Sequence, residues 1–466
     1  MQRNPNQCFV FGIKELDNIY SKALTPGTTI LIAGNPGAGK TTLAATICYH
    51  NAIRGCPCIY VSFNEDKNKF IKRMKTFGMD FEKLEKNKLF KYLRLPLLSS
   101  RDIIDDLINA ISTEIIEFQA KIVVLDSFTP IGHAVEKTIN ARGLIQNYVY
   151  NIASLIQGLV VIIAEIPLGE TTIKVGDVEF VADVVLILKH NIENKLLNRV
   201  IELRKLRDAR ISVAEIPFIL VEGKGIRLFY PPIQEEPPSA KLDVELKHPC
   251  KQLAEAIEPV YPGNSMLVVY PPDARSIIYT YMPIITMLTI NKLKTLIVTY
   301  RYSVKEIEKF AKQLLNKYGI NSDDIMNNII VKAINPASLS LEEILGKELE
   351  LVDEYKPDAM IFHGVEVVNS MHGNNSKYYM FLRNQLLYHK SKGILTIRYM
   401  TLVDKKKYYK NAELSEIIMR LYYKKTKEEK LEPYLYVWRA GKEPTILTPK
   451  QLSECLSECI KALKGE

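Results

Sequence analysis

The sequence lacks the features that mark membrane, secreted and strongly charged proteins. Its most apolar run, Leu159–Ala164, has the length of a strand and is too short to span a bilayer. The first residues, Met1–Pro5, are polar and contain no secretory-signal core. Lys and Arg (62) exceed Asp and Glu (53) by only nine, and the excess is spread over both halves. No charged tail therefore points to nucleic acid or to a membrane surface.

Cysteine and histidine patterns for metal binding are also missing. The seven cysteines are scattered, odd in number and without C-x-x-C spacing, and the histidines are isolated, so zinc chemistry has no support. We predict reduced thiols and a cytoplasmic protein. The cysteines are Cys8, Cys48, Cys56, Cys58, Cys250, Cys455 and Cys459.

Short apolar runs alternate with longer helical patterns in the first half of the chain. This alternation predicts an α/β fold, in which a mainly parallel sheet is covered by helices. The runs are Thr29–Ala33, Cys58–Phe63, Ile122–Asp126, Leu159–Glu165 and Val184–Leu188. A Pro- and Glu-rich break follows Tyr230 and disfavours both helix and strand. We predict a domain over residues 1–232, a linker over 233–240 and a second domain over 241–466.

The second half repeats the plan of the first. Met266–Tyr270 matches Ile30–Gly34, and Ala359–His363 matches Ile122–Asp126, with order and spacing kept. The chain therefore looks like a tandem duplication. A comparison of the two halves, position by position, indicates which residues carry chemistry.

A phosphate-binding loop follows the first apolar run. The pattern G-x-x-x-x-G-K-[ST] directs backbone N–H groups toward phosphate oxygens at the start of a helix. Lys40 is expected to reach the β- and γ-phosphates, and the Thr41 hydroxyl to bind Mg²⁺. Asp126, at the end of a buried strand, is expected to hold the same ion through water. The predicted ATP- or GTP-binding residues are Gly34, Asn35, Pro36, Gly37, Ala38, Gly39, Lys40, Thr41 and Thr42.

These motifs resemble the KaiC-like branch of the RecA-type ATPases over nearly all of the first domain. The matching segments are Phe11–Asp17, Pro26-Gly27, the phosphate loop, Tyr60–Glu65, Val124–Ser127, Glu165–Pro167, Glu179–Val184 and Glu202–Arg207. The resemblance implies a RecA-like core that forms a homo-oligomeric ring, commonly a hexamer, with ATP between neighbours. It also implies that Lys205 and Arg207 reach the γ-phosphate of the adjacent subunit, where cations neutralise developing charge.

Two positions depart from the family pattern. Where the family usually carries two adjacent glutamates that polarise the attacking water, this chain has Asn64 and Glu65. An amide cannot take a proton at neutral pH, so we predict slow hydrolysis that depends on Glu65. Asp208 stands where the family usually has a glycine, directly after Arg207. Glu165 is either a sensor of the γ-phosphate or a surface carboxylate.

The second half has lost the chemical positions of the first. Tyr270–Ile277 replaces the phosphate loop with a segment that contains two prolines and Asp273, so N–H donors are lost and phosphate is repelled. Arg301-Tyr302 stands for the water-activating pair, His363 for Asp126, and Met400 roughly for Glu165. We predict no ATP binding there, a structural or partner-binding role, and a packed His363.

The favoured interpretation is a regulatory or signalling ATPase whose assembly or conformation follows its nucleotide and is read by protein partners. Kinase activity is not expected, because in clock proteins of the family it belongs to the second domain. The alternatives are a RecA/RadA-type accessory ATPase acting on DNA, and an ATP-binding scaffold without turnover. Lys405–Lys410 and Tyr422–Lys427 interleave basic and aromatic residues that suit single strands, or equally solvated hairpin or loop faces.

Overall fold

In the computed structural model the chain forms two compact units, Met1–Tyr230 and Pro231–Glu466. The boundary falls two residues before the predicted end of the first domain. The described residues are 9–20, 22–95, 101–128, 151–167, 178–193, 195–207, 209–211, 214–229, 236–274, 278–372 and 375–466. The first part of the predicted linker, Asp208 and residues 275–277 lie outside them.

The first unit is a nine-stranded sheet with the order β3-β2-β4-β5-β1-β6-β7-β8-β9. Its strands are β1 Thr29–Gly34, β2 Cys58–Ser62, β3 Phe90–Arg94, β4 Ile122–Asp126, β5 Leu159–Glu165, β6 Val184–Glu193, β7 Leu196–Leu206, β8 Glu215–Val221 and β9 Gly225–Leu228. The first six strands of this order, from β3 across to β6, are parallel to their neighbours. Strands β7, β8 and β9 continue the sheet as antiparallel hairpins.

Helices cover both faces of this sheet. They are α1 Lys14–Ile19, α2 Lys40–Ala52, α3 Lys67–Thr76, α4 Phe81–Lys86, α5 Arg101–Phe118 and α6 Val178–Val181, with a further helical stretch over 151–156. Strand β1 is buried along its whole length, and one apolar cluster lies on each side of it. Its continuous apolar run, without polar alternation, is what a central parallel strand requires.

The second unit repeats the arrangement with the order β12-β11-β13-β14-β10-β15-β16-β17. Its strands are β10 Ser265–Tyr270, β11 Thr295–Thr299, β12 Ile329–Ala333, β13 Ala359–His363, β14 Leu395–Thr401, β15 Ile417–Lys425, β16 Leu431–Arg439 and β17 Thr445–Leu447. Its helices are α7 Lys251–Ile257, α8 Ile278–Ile290, α9 Val304–Lys317, α10 Ser322–Met326, α11 Leu341–Tyr355, α12 Val365–Met371, α13 Asn375–Lys392, α14 Lys405–Glu413 and α15 Pro449–Lys464. The predicted tandem RecA-like α/β fold is confirmed.

Strand register corrects one assignment between the two halves. Gly34 pairs with Glu165 across β1 and β5, and Tyr270, the residue in the place of Gly34, pairs with Thr401 across β10 and β14. The counterpart of Glu165 is therefore Thr401, one residue beyond the predicted Met400. Successive side chains point to opposite faces of a sheet, so this shift changes the face that is compared.

The prediction that all cysteines are reduced is wrong. Disulfides join Cys48 to Cys58 and Cys250 to Cys455, with Cα atoms 6.0 and 4.8 Å apart, within the range that a disulfide requires. The paired residues are 10 and 205 positions apart in the chain, so folding brings them together without any short spacing motif. Cys459 is a buried free thiol. Among the described residues, no helix combines the length and apolarity needed to cross a bilayer.

A buried carboxyl group lies inside the second unit. Glu348 on α11 is 1% exposed, and it accepts hydrogen bonds from the Tyr300 hydroxyl and the Gln385 amide. Burial raises the pKa of Glu348 to about 8, although both hydrogen bonds act in the opposite direction. In the folded protein the group therefore keeps its proton near neutral pH, whereas an unfolded glutamate releases it near pH 4.5.

We expect Glu348→Gln to flatten the pH dependence of stability. Between about pH 5 and 8 the native state holds one proton more than the unfolded state, so wild-type stability falls as the pH rises. The difference between variant and wild type should grow by up to about 1.4 kcal/mol per pH unit. Urea unfolding at several pH values measures it, with exposed Glu354→Gln on the same helix as control. Parallel profiles for wild type and Glu348→Gln would contradict the prediction.

Candidate phosphate-binding site

The carboxyl ends of four parallel strands bring the predicted site residues of the first unit to one edge of the sheet. Gly34 lies beside Glu165, and Ser62 lies beside Asp126. Helix α2 begins a few residues after β1, at Lys40. This edge is where open α/β sheets bind ligands.

Two glycines permit the path of the loop between β1 and α2. A Cβ at Gly34 would lie 2.3 Å from the carbonyl oxygen of Leu188 on the neighbouring strand β6, so only glycine fits this close approach. Gly39, the residue before α2, has φ of 104° in the left-handed region, which other residues rarely adopt. The loop then enters the helix with backbone N–H groups free of intrahelical partners at its first turn.

The Lys40 ammonium group lies inside this loop. The residue is 8% exposed, and Nζ donates to the carbonyl oxygens of Gly34 at 2.9 Å and Asn35 at 3.0 Å. Burial lowers the pKa of Lys40, while the carboxylates of Glu165 and Asp126 raise it. A cation held among carbonyl groups at a helix start is well placed to receive an anion.

Thr41 and Asp126 meet as predicted for a magnesium site. The Thr41 hydroxyl donates to Asp126 Oδ2 at 2.9 Å, and the Tyr60 hydroxyl donates to the same oxygen at 2.6 Å. Burial raises the pKa of Asp126, and these two hydrogen bonds oppose the effect. A hydroxyl and a carboxylate are hard oxygen ligands, and Mg²⁺ commonly takes one or two protein oxygens with waters and phosphates. The residues fit the ion.

Glu65 is held by Arg73 at the end of β2. Its Oε2 lies 2.6 Å from the Arg73 guanidinium, while Oε1 is buried without a hydrogen-bond partner among the described residues. Burial raises the pKa of Glu65, Arg73 lowers it, and Asp126 raises it. Asn64 beside it is exposed. Of the two residues in the water-activating position, Glu65 therefore provides the carboxylate, and it lies close enough to Asp126 for the two charges to interact.

Lys205 and Arg207 lie at the opposite edge of the same sheet. Leu206, which lies between them, pairs with Val184 of β6, whereas Gly34 pairs with Leu188 of the same strand. The two β6 residues are four positions apart, a length of about 13 Å along the strand. Lys205 donates to the carbonyl oxygen of Phe180 at 3.2 Å. Arg207 forms an ion pair with Asp183 at 2.8 Å. Within one chain these two cations do not join the phosphate loop.

Glu165 ends β5 in register with Gly34, and its carboxylate is close enough to influence the pKa of Lys40. The start of the following loop is tied to the phosphate loop, because the Asn35 amide donates to the carbonyl oxygens of Ile166 and Pro167, each at 3.1 Å. Most of that loop lies outside the described residues.

The matching edge of the second unit is occupied by its own side chains. Arg301 forms an ion pair with buried Glu366 at 2.6 Å and donates to Thr401 at 3.2 Å. Asp273 is described and stands in the loop position, whereas residues 275–277 are not. Buried His363 lies between tyrosine rings, and burial lowers its pKa to about 4. At this edge the second unit therefore pairs charged and aromatic side chains with one another.

The two basic and aromatic runs have different structures. Lys405–Lys410 belongs to helix α14, not to the predicted hairpin or loop, because Asp404 caps the helix by accepting from Lys406 and Lys407. Tyr408 is buried there. Most of the Tyr422–Lys427 run lies on the β15–β16 hairpin. Packing accounts for part of their aromatic content, which disfavours a surface dedicated to stacking bases.

Sequence reasoning missed two supporting residues. Tyr60 orients Asp126, and Arg73 holds Glu65. The first carried a signal, because Tyr60 and Ser62 share a strand face and Ser62 pairs with Asp126. Arg73 carried none, since its contact depends on where helix α3 lies.

Comparison with known proteins gives the same relationship. The family model described as "ATPase: KaiC" matches residues 10–232. A Picosynechococcus sp. protein named circadian clock oscillator protein KaiC is 30% identical over 228 residues, 47% of this chain and 43% of that protein. A protein of the same name from Prochlorococcus marinus subsp. pastoris is 25% identical over 355 residues, which are 74% of this chain and 69% of that protein. The matched segment thus spans less than half of the first relative.

Proposed function

From the match of residues 10–232 to the KaiC ATPase family model and the likeness to KaiC proteins, we propose that the chain is a KaiC-like ATPase of the RecA superfamily whose first unit binds ATP with Mg²⁺ and hydrolyses it slowly. We further propose that assembly into a ring, or conformation, follows the bound nucleotide and is read by protein partners. The observation that carries the proposal is the meeting of Thr41 and Asp126, 2.9 Å apart, beside buried Lys40. The second unit serves as a structural or partner-binding module.

The proposed chemistry assigns each side chain one task. The loop N–H groups bind the phosphates, and Lys40 exchanges its carbonyl partners for β- and γ-phosphate oxygens. Thr41 and Asp126 would hold Mg²⁺, which neutralises charge on the phosphates. Glu65 orients and deprotonates the attacking water, and Arg73 positions Glu65. Asn64 offers no second base, which supports slow turnover.

Lys205 and Arg207 act on a neighbouring subunit in this proposal. Their place at the far edge of the sheet from Gly34 keeps them from their own phosphate loop and leaves a second copy as the recipient. A cation supplied by a neighbour stabilises charge on the transferring phosphoryl group. Hydrolysis is thereby linked to assembly.

Lys40→Ala should weaken ATP·Mg²⁺ binding by about 10- to 100-fold, because a charge-assisted hydrogen bond is lost. It should also abolish any mass increase that ATP·Mg²⁺ causes in the wild type. Calorimetry and solution scattering measure the two effects, and Lys83→Ala on an exposed face of α4 is the control. Nucleotide affinity equal to wild type would contradict the assignment of the site.

Glu65→Gln should lower the ATP hydrolysis rate by about 100-fold, since a general base contributes at least that much. Asn64→Glu should raise the rate by supplying a second carboxylate. Phosphate release under saturating ATP measures both, with exposed Glu82→Gln as control. A Glu65→Gln protein with the wild-type rate would end the assignment of Glu65.

Mixed assemblies test the role across the interface. Arg207→Ala and Glu65→Gln proteins should each be slow alone, but a mixture restores turnover where an intact Glu65 faces an intact Arg207 of its neighbour. Random mixing places such pairs at about a quarter of interfaces. Phosphate release before and after subunit exchange measures this. If mixing restores nothing although the subunits exchange, Arg207 does not act on a neighbour.

A further inference from the structure

The second unit contains a cavity beneath helix α9 that the proposed nucleotide chemistry does not use. It lies between the sheet and helices α8, α9 and α10, and its volume of about 60 Å³ is several times what one water molecule needs. The lining side chains are aliphatic or aromatic apart from Met326 and His363. Apolar cavities of this kind stay dry and accept apolar molecules.

Aromatic rings fill the corresponding space in the first unit. They belong to β2, β3, α3 and α4, and their centroids lie 4.5 to 6.5 Å apart. The residues are Tyr60, Phe70, Phe81, Phe90 and Tyr92. Each ring packs against others of the set, so the fold itself does not require a cavity at this place.

Smaller side chains stand at all five positions of the second unit. They are, in the same order, Ile297, Ile307, Ser322, Ile329 and Val331. Strand register identifies the three on β11 and β12, and equal distance from the helix N-cap identifies the two on α9 and α10. Replacement of rings by aliphatic groups and a serine opens the space.

One polar group in the lining lacks a partner. His363 is 4% exposed, and its Nδ1 is buried without a hydrogen-bond partner among the described residues. A buried polar atom left unpaired costs free energy that a ligand can recover. The imidazole is neutral near pH 7, because burial lowers its pKa to about 4. The neutral imidazole therefore suits a hydroxyl group better than an ion. An ion would also lose its hydration free energy on entering the cavity.

One residue of α9 belongs both to the cavity lining and to the protein surface. Phe310 belongs to the lining and is 45% exposed, so it stands at the boundary between cavity and solvent.

From these observations we propose that the second unit binds a small apolar molecule carrying one hydroxyl group, with its ring among Ile297, Ile307 and Ile329 and its hydroxyl at His363. The site replaces a packed aromatic cluster of the first unit by a ligand. It is independent of the phosphate loop.

The probe for a calorimetric test on the full chain is 4-methylphenol, with toluene as the matched molecule without the hydroxyl. Saturable binding of one 4-methylphenol per chain is expected, about tenfold tighter than toluene, the size of one hydrogen bond. His363→Leu should remove this preference and keep toluene binding. No saturable binding of either molecule, or an unchanged preference in His363→Leu, would overturn the proposal.

Ile307→Phe restores the ring that Phe70 supplies in the first unit and should lower the affinity for both probes at least tenfold. Ile329→Phe, after Phe90, is the second variant in case the first one unfolds. Ile446→Phe, a 48% exposed position on β17, makes the same change outside the cavity and should bind as the wild type does. Folded variants of Ile307 and Ile329 with wild-type affinity would show that the probes bind elsewhere.

Discussion

The register of the parallel strands is the constraint on which the site depends. Asp126 can meet Thr41 only because β4 ends level with β2 and because β1 delivers the loop and helix α2 to the same edge. A slip of one residue in β4 would turn Asp126 to the other face of the sheet. Strands β1 and β2 are buried along their whole length, so the polar residues of the site stand at the end of an apolar core.

The same fold supports two different outcomes at this edge. In the first unit a buried lysine and a carboxylate lie apart, each held by hydrogen bonds, and both remain available to a charged ligand. In the second unit Arg301 and Glu366 form an ion pair with each other. Retention of the strand order with exchange of the end residues shows that burial maintains the fold while single side chains determine the chemistry.

Elements with continuous apolar runs could be predicted from the sequence, and their contacts could not. Strands β4 and β5 have the predicted bounds, and the phosphate loop stands where its motif indicates. The disulfides, the Arg73 contact with Glu65 and the equivalence of Thr401 depend on three-dimensional proximity, on which spacing carries no information. The helix over Lys405–Lys410 was not predicted, because this run has no apolar periodicity. Only the capping residue Asp404 indicates it.

The bond between Cys250 and Cys455 ties the first helix of the second unit to its last. The chain from Cys250 to Cys455 is thereby closed into one covalent loop through the disulfide. A single protease cut between these two cysteines leaves the two fragments attached to each other. Tension applied to the chain outside them passes through the disulfide and does not unfold the sheet, whose strands all lie between them. Such a unit can transmit force or survive nicking as one body.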